Sequence, residues 1–314
     1  MSNVSISQMR DFLSKSISSL NDNKLNGMKA EIDFRQHIAS LKRADRVSPG
    51  GWIFRSKGVS HFGNTSVAVF PQLVDPGGNY SKLPGPERIP LPLHTICATL
   101  HQIGIRSYYA YPVIASADPT SITWHFLQLG VPWSSTFVDV HTAFNGFQPR
   151  KQHYNYLRYT TNTAGIVSSE LPTFFSQESL RVFVETLYRC ETSDIDGILW
   201  GERYTYPVEV KEKTAAQDND LGDWFGLDIG PFVKLAHYAA RRGNLHALFV
   251  VREIDNVATR NVLGWLVTTF DRLAHFASWV PRAGGTSMAG GRSMVVRIPR
   301  TAFDTLDAAR LDAL

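Results

Sequence analysis

The sequence has little cysteine and no long apolar segment. Its 314 residues contain two cysteines, Cys97 and Cys190, and no CxxC pair, so we expect neither a disulfide framework nor a thiolate zinc site. No stretch approaches the roughly 20 apolar residues that span a bilayer. The first residues, MSNVSISQMRDF, lack the apolar core of a signal peptide. The sequence therefore predicts a soluble, cytoplasmic protein that does not act at a membrane.

The chain also lacks strong net charge and several common catalytic motifs. A formal charge of +4 and a pI near 9.0 fall short of a histone-like protein, so a nucleic-acid partner is permitted but not required. No Walker loop, Gly-x-Ser-x-Gly or His-Glu-x-x-His motif occurs. Because 43% of the residues are apolar, the chain can build its own core as one large or two modest domains.

Proline and glycine concentrate in one stretch, PGGNYSKLPGPERIPLP, at residues 76–92. Such a composition predicts a loop or linker. We therefore expect an N-terminal helical region with the first strands (1–75), an inserted or DNA-recognition region (76–170), and a core with the C-terminal strands (171–314). A single compact domain is the alternative. In the first region, Asn26 and Gly27 predict a break between two helices, the second over residues 28–42.

The most informative segment is SDIDGILWGERYTYPVEVKEKT, residues 193–214. A tight turn at residues 201–204 would pair two strands and place Asp196 directly opposite Glu209. Directly opposed residues in an antiparallel pair have Cβ atoms about 5 Å apart, so the two carboxylates could share one cation. Lys211 lies two positions after Glu209 and leaves the same face of the strand.

The neighbouring residues predict how this hairpin is supported. Val208 and Val210 alternate with the charged residues and should face the core, while Glu212 and Lys213 are expected at the surface. Downstream, a helix from Pro231 and an apolar strand at residues 247–251 follow in order. Hairpin, helix and strand in this order predict an α/β fold, with a mixed sheet backed by helices.

These residues resemble the core motif of the PD-(D/E)xK nuclease superfamily. The aspartate of that motif matches Asp196, the acidic residue Glu209 and the lysine Lys211. Ile195 stands where the motif name has proline. The resemblance covers residues 193–252 and implies a restriction-endonuclease-like mixed sheet core, flanked by helices and carrying insertions.

The resemblance implies a Mg²⁺ cofactor, for which Mn²⁺ could substitute. Asp196, Glu209 and the backbone carbonyl of Val210 would be the metal ligands. An oxygen-bound Mg²⁺ neutralises a phosphodiester and yields hydroxide near neutral pH, which is what phosphodiester hydrolysis requires. Lys211 would orient or deprotonate the attacking water, or stabilise the pentavalent phosphate.

Two features of the acidic site stay open at the level of sequence. Asp194 faces the same way as Asp196, so it is either an ion-pair partner of Lys211 or a second metal ligand. Members of the superfamily often add a glutamate from an earlier helix, and two helices offer one. Glu31 fits the order of elements, and Glu178 or Glu185 lies nearer to the motif; the order slightly favours Glu31.

Residues 148–162 mix cationic, amide and tyrosine side chains, a composition that favours nucleic-acid contacts. Cations neutralise phosphates, and amides can pair with adenine edges. A polar loop with core tyrosines is the alternative. The candidate nucleic-acid contacts are Arg150, Lys151, Gln152, Asn155 and Arg158.

Together these features predict a Mg²⁺-dependent endonuclease that hydrolyses DNA, with Asp196, Glu209, Lys211 and Glu31 in its catalytic site. The resemblance is greatest to prokaryotic type II restriction endonucleases, which implies sequence-specific cleavage of duplex DNA by a homodimer. A repair, recombination or transposition nuclease with the same core is the nearest alternative. A second alternative is a non-catalytic nucleic-acid-binding protein with this fold. A third alternative is a small-molecule hydrolase or an interaction domain.

Overall fold

The computed structural model describes residues 4–57, 66–84, 89, 91–129, 136–240, 245–276, 278–283 and 292–314. The α-helices of this part are α1 (Ile6–Ser16), α2 (Asp22–Ser40), α3 (Leu91–Gln102), α4 (Val140–Ala143), α5 (Leu171–Leu187), α6 (Ile229–Ala239), α7 (Phe270–Phe276) and α8 (Ala308–Asp312). Among the residues so described, none of the helices has the length and apolar character needed to cross a bilayer.

The strands alternate irregularly with these helices along the chain. They are β1 (Gly51–Ser56), β2 (Ser66–Pro71), β3 (Ile105–Val113), β4 (Thr123–Gln128), β5 (Phe137–Val138), β6 (Cys190–Ile195), β7 (Gly197–Trp200), β8 (Thr205–Lys213), β9 (Ala216–Asp218), β10 (Gly222–Asp228), β11 (Leu248–Ile254), β12 (Val262–Thr269), β13 (Ser278–Ala283), β14 (Arg292–Pro299) and β15 (Asp304–Thr305).

The chain divides into two compact units. The first unit comprises Met1–Lys29 and Ser48–Ile195, and the second comprises Ala30–Val47 and Asp196–Leu314. The boundaries expected near residues 75 and 170 both fall inside the first unit. The division instead follows the sheets, because β6 ends at Ile195 and the hairpin of the second unit begins directly after it.

The first unit contains a six-stranded mixed sheet in the order β5-β4-β3-β2-β1-β6. β2 and β3 are parallel, and the other neighbouring pairs are antiparallel. Helices α1 and α5 pack together, with the rings of Phe12 and Phe175 in edge contact at 5.3 Å between centroids. Helix α3 packs against β3.

The second unit contains a five-stranded sheet in the order β15-β12-β11-β8-β7 and a four-stranded antiparallel sheet in the order β13-β14-β10-β9. In the larger sheet β8 and β11 are parallel and the other pairs are antiparallel. β11 is the predicted apolar strand, and it is buried along most of its length. The expectation of an α/β fold with mixed sheets flanked by helices is confirmed.

The predicted helix break at Asn26 and Gly27 is wrong, because both residues lie inside helix α2. Helix α2 begins earlier, at Asp22, and the Asn21 side chain accepts a hydrogen bond from the Lys24 amide at 2.9 Å. A glycine inside a helix costs about 1 kcal/mol relative to alanine. The helix tolerates this cost because its second half buries Phe34 and Ile38 completely in the core of the second unit.

Candidate active site

The predicted hairpin is present with the predicted register. β7 and β8 are antiparallel with Gly197 opposite Val208, so residues 201–204 form the turn between them. Gly201 is required in this turn, because a Cβ atom there would lie 2.4 Å from the carbonyl oxygen of Leu314. The predicted register therefore holds over the four residue pairs from Gly197–Val208 to Trp200–Thr205.

Asp196 lies at the open end of this hairpin, one residue before β7. Its side chain is buried, with 1% of the residue exposed, and its Oδ2 accepts a hydrogen bond from the amide of Val210 at 2.8 Å. In a strand the N–H and C=O of one residue point to the same side. The carbonyl of Val210 therefore points to the side of β8 on which Asp196 lies, as a shared metal site would need.

Helix α2 supplies a second carboxylate to Asp196. Carboxylate oxygens of Glu31 and Asp196 lie within 4.8 Å of each other. One turn further along the helix, Arg35 donates a hydrogen bond to the backbone carbonyl of Asp196 at 2.9 Å. Burial lowers the pKa of Arg35, and the nearby charges of Glu31 and Asp196 oppose that effect. Arg35 was not predicted; its only signal in the sequence is the four-residue spacing from Glu31.

Glu209 lies between two lysines. Lys211 Nζ is 2.6 Å from Glu209 Oε1, and Lys234 Nζ of helix α6 is 2.5 Å from Glu209 Oε2. Burial raises the pKa of the Glu209 carboxyl, but Lys211 and Lys234 together outweigh burial and hold that pKa below its ordinary value. Val208 and Val210 lie in the core of the second unit, as predicted. The structure therefore brings Glu209 and Lys211 together and adds Lys234.

The charges that follow Lys211 are not at the surface. The side chain of Glu212 is only 4% exposed and forms ion pairs with Arg252 and Arg260, so the expectation for this residue is wrong. Lys213 is half-buried. Burial lowers its pKa, and the charge of Asp228 acts in the opposite direction. Both residues are shielded because β8 is an inner strand, paired on both sides.

The alternative helical glutamates have structural partners in the first unit. Glu178 and Glu185 of α5 both pair with Arg181, at 2.5 Å in each case, and both are buried. Of the three candidates, Glu31 is the one whose carboxylate lies beside that of Asp196. Asp194 is exposed and belongs to the first unit, where β6 places it opposite Trp52 of β1.

The candidate nucleic-acid contacts also lie in the first unit, in a segment with little regular structure. Arg150 is held in place, since its side chain donates to the carbonyl of Glu185 and to the hydroxyl of Tyr156, both at 2.8 Å. Its guanidinium lies 4.7 Å from the ring centroid of Tyr154. The other four candidates are exposed: Lys151, Gln152, Asn155 and Arg158.

Arg150 also lines a cleft of the first unit, of about 540 Å³. Two further cations, Arg55 and Lys57, come from the end of β1 and the residue after it. The remaining lining residues are Tyr154, Tyr156, Glu185, Cys190, Glu191 and Thr192. The cleft therefore presents three cations together with two tyrosine rings. Sequence spacing gave no indication that Arg55 and Lys57 would join Arg150.

Comparisons of the chain with protein-family models, with curated proteins and with solved structures found no match.

Proposed function

We propose that the chain is a Mg²⁺-dependent endodeoxyribonuclease whose catalytic site lies in the second unit, on a core like that of restriction endonucleases. One observation carries the proposal. A buried aspartate, Asp196, contacts the backbone between Glu209 and Lys211 at Val210, and the carboxylate of Glu31 lies beside it. Carboxylates, a lysine and a backbone carbonyl grouped in this way can support metal-assisted hydrolysis of a phosphodiester.

The donor atoms fit a magnesium ion. They are carboxylate and carbonyl oxygens, the ligands that Mg²⁺ prefers. Carboxylate oxygens of Glu31 and Asp196 lie within 4.8 Å of each other, so Glu31 is near enough to contact an ion held by Asp196 or a water bound to that ion. A bound Mg²⁺ would supply charge neutralisation and a bound water of lowered pKa.

The side chains have distinct roles in this proposal. Asp196 and Glu209 would hold the cation, with the carbonyl of Val210 as a third ligand, and Glu31 would orient a ligand of the cation beside Asp196. Arg35 fixes the backbone of Asp196 through its carbonyl. Lys211 forms an ion pair with Glu209, so its ammonium is close enough to orient the attacking water or stabilise charge on the phosphate.

The first unit would contribute contacts to duplex DNA. Lys151 and Arg158 are exposed cations, and the cleft at Arg150 adds Arg55 and Lys57. Cations of this kind contact phosphates and fix the position of the protein on DNA. We infer sequence-specific cleavage by a homodimer, because a symmetric site on DNA matches a two-fold protein. A type II restriction endonuclease of this kind acts in the prokaryotic cytoplasm.

Incubation of the wild-type chain with long duplex DNA, single-stranded DNA and RNA tests the proposal, with Mg²⁺, with Mn²⁺ and with EDTA. Discrete fragments from duplex DNA, formed only with metal, are expected. A smear of products would favour a repair or recombination nuclease with the same chemistry. Intact nucleic acid under every metal condition, combined with measurable DNA binding, would favour a non-catalytic binding protein and contradict the proposal.

The role of the helical glutamate gives a first prediction. Glu31→Gln should lower the rate of DNA cleavage by about 10- to 100-fold, the usual effect of removing a group that supports a metal ligand. Glu178→Gln is the control, because Glu178 is also a helical glutamate but is buried and pairs with Arg181. Its cleavage rate should equal that of the wild type at a temperature where both are folded. Equal rates for the two variants would remove Glu31 from the site.

The exposed cations of the first unit give a second prediction. Lys151→Ala should weaken binding to all duplex sequences equally, because a phosphate contact carries no sequence information. The slope of log K against log salt concentration should fall by about 0.9, the value for one lost phosphate contact. Fluorescence anisotropy in Ca²⁺, at several salt concentrations, measures this slope. An unchanged slope would place Lys151 outside the DNA interface.

A further inference from the structure

Lys234 is a residue of the candidate site that the motif does not account for. It lies on α6, the helix that packs against β8, and its ammonium reaches Glu209 Oε2 at 2.5 Å. Lys211 takes the other oxygen of the same carboxylate at 2.6 Å. Both oxygens of the proposed metal ligand are thus occupied by cations from two different elements.

The two ion pairs of Glu209 cannot both persist unchanged when a metal binds. One carboxylate faces two ammonium groups, and Lys213 lies near enough for its pKa to respond to Glu209 and Lys211. A divalent cation at Glu209 would add two positive charges beside these lysines. Like charges at such distances repel strongly in a partly buried site, so one ammonium must leave the carboxylate or acquire an anionic partner.

Resting on the proposed function, we propose that Lys234 is an exchangeable counter-ion of the site. It neutralises Glu209 before the metal binds, and it contacts a DNA phosphate once the metal has replaced it. The phosphate is a suitable second partner, because it brings the negative charge that the metal-bound site then lacks.

Lys234 is better placed than Lys211 for this exchange. Lys211 shares a strand and a face with Glu209 and already has the catalytic role proposed above. Lys234 comes from a separate helix, and its side chain is 22% exposed, compared with 33% for Lys211. It can therefore turn toward solvent, where the DNA backbone would lie, without any change in β8.

Two measurements on the full-length chain test the exchange. The first is calorimetric titration with Mn²⁺ in the absence of DNA, comparing wild type, Lys234→Met and Lys24→Met. Lys24 is an exposed lysine of α2 and serves as the control. Removing a competitor for Glu209 should make Lys234→Met bind Mn²⁺ about tenfold more tightly, within the range of ordinary coupling between sites. Lys24→Met should match the wild type.

The second measurement is the salt dependence of duplex DNA binding in Ca²⁺. Lys234→Met should lower the slope of log K against log salt by about 0.9, and Lys234→Arg should keep the wild-type slope because it keeps the charge. Unchanged Mn²⁺ affinity in Lys234→Met would overturn the competition, and an unchanged slope would overturn the contact with phosphate. Wild-type protein that binds neither Mn²⁺ nor DNA would instead overturn the proposed function, and the exchange with it.

Discussion

Replacing Lys211 with methionine is expected to lower the rate of DNA cleavage by about 10²- to 10⁴-fold, the usual effect of removing a proton-transfer group or a group that stabilises the transition state. Methionine keeps the unbranched apolar stem, so packing on β8 should change little. Metal affinity should not fall, because the substitution frees the Glu209 oxygen that Lys211 contacts. Single-turnover cleavage of a defined duplex measures the rate of the chemical step.

The control for this prediction is Lys24→Met, which removes an exposed lysine from α2 and should cleave DNA at the wild-type rate. If Lys211→Met cleaved as fast as Lys24→Met, Lys211 would be an ordinary ion-pair partner of Glu209. The assignment of the ExK triplet as a catalytic element would then be wrong.

Replacing Asp196 with asparagine is expected to weaken Mn²⁺ binding by at least about 100-fold, because it removes a charged ligand. Loss of a residue that only supports a ligand lowers metal affinity by about 10- to 100-fold. Asparagine keeps an oxygen that can accept the hydrogen bond from the Val210 amide. The variant should therefore stay folded, which thermal unfolding in EDTA can confirm. Calorimetric titration with Mn²⁺ measures the loss of affinity.

The side-chain amide that Asp196→Asn introduces also brings a hydrogen-bond donor into a buried position, so a modest loss of stability is expected. Metal binding is compared at a temperature where wild type and variant are both folded. Retention of wild-type Mn²⁺ affinity by the folded variant would show that the ion, where one binds, does not use Asp196.

The hairpin at the site could be predicted because its determinants are local. Gly201 lies at the tight turn, and the alternation of Val208 and Val210 with charged residues fixes which face is buried. A shift of one residue would have moved both valines out of the core. The apolar run in β11 is also a local feature, and it correctly predicted a buried strand beside the hairpin.

The residues that complete the site could not be predicted in the same way, because they meet Asp196 and Glu209 only through the fold. Glu31 was suggested only by the order of elements that the resemblance implies. Arg35 precedes the hairpin by a long stretch of chain, and Lys234 reaches Glu209 from a helix after it. Spacing within α6 places Lys234 on that helix, but no local pattern sets the position of α6 along β8. Local spacing likewise gave no indication that Arg252 and Arg260 would enclose Glu212.

The division of the chain was also hidden from local composition. The proline- and glycine-rich stretch suggested a boundary, whereas the two units divide the chain within α2, at Ser48, and at Asp196 between β6 and β7. Such a boundary follows from which sheet each strand joins, and strand partners are set by contacts distant in sequence.

The most direct test of the central claim is a cleavage assay of long duplex DNA with wild type, Asp196→Asn and Lys24→Ala, each in Mg²⁺ and in EDTA. Wild type and Lys24→Ala should cut the DNA with Mg²⁺ and leave it intact in EDTA, and Asp196→Asn should leave it intact in both. Uncut DNA from the wild type with Mg²⁺ and with Mn²⁺, or cleavage by Asp196→Asn at the wild-type rate, would contradict a metal-dependent nuclease site at Asp196, Glu209 and Lys211.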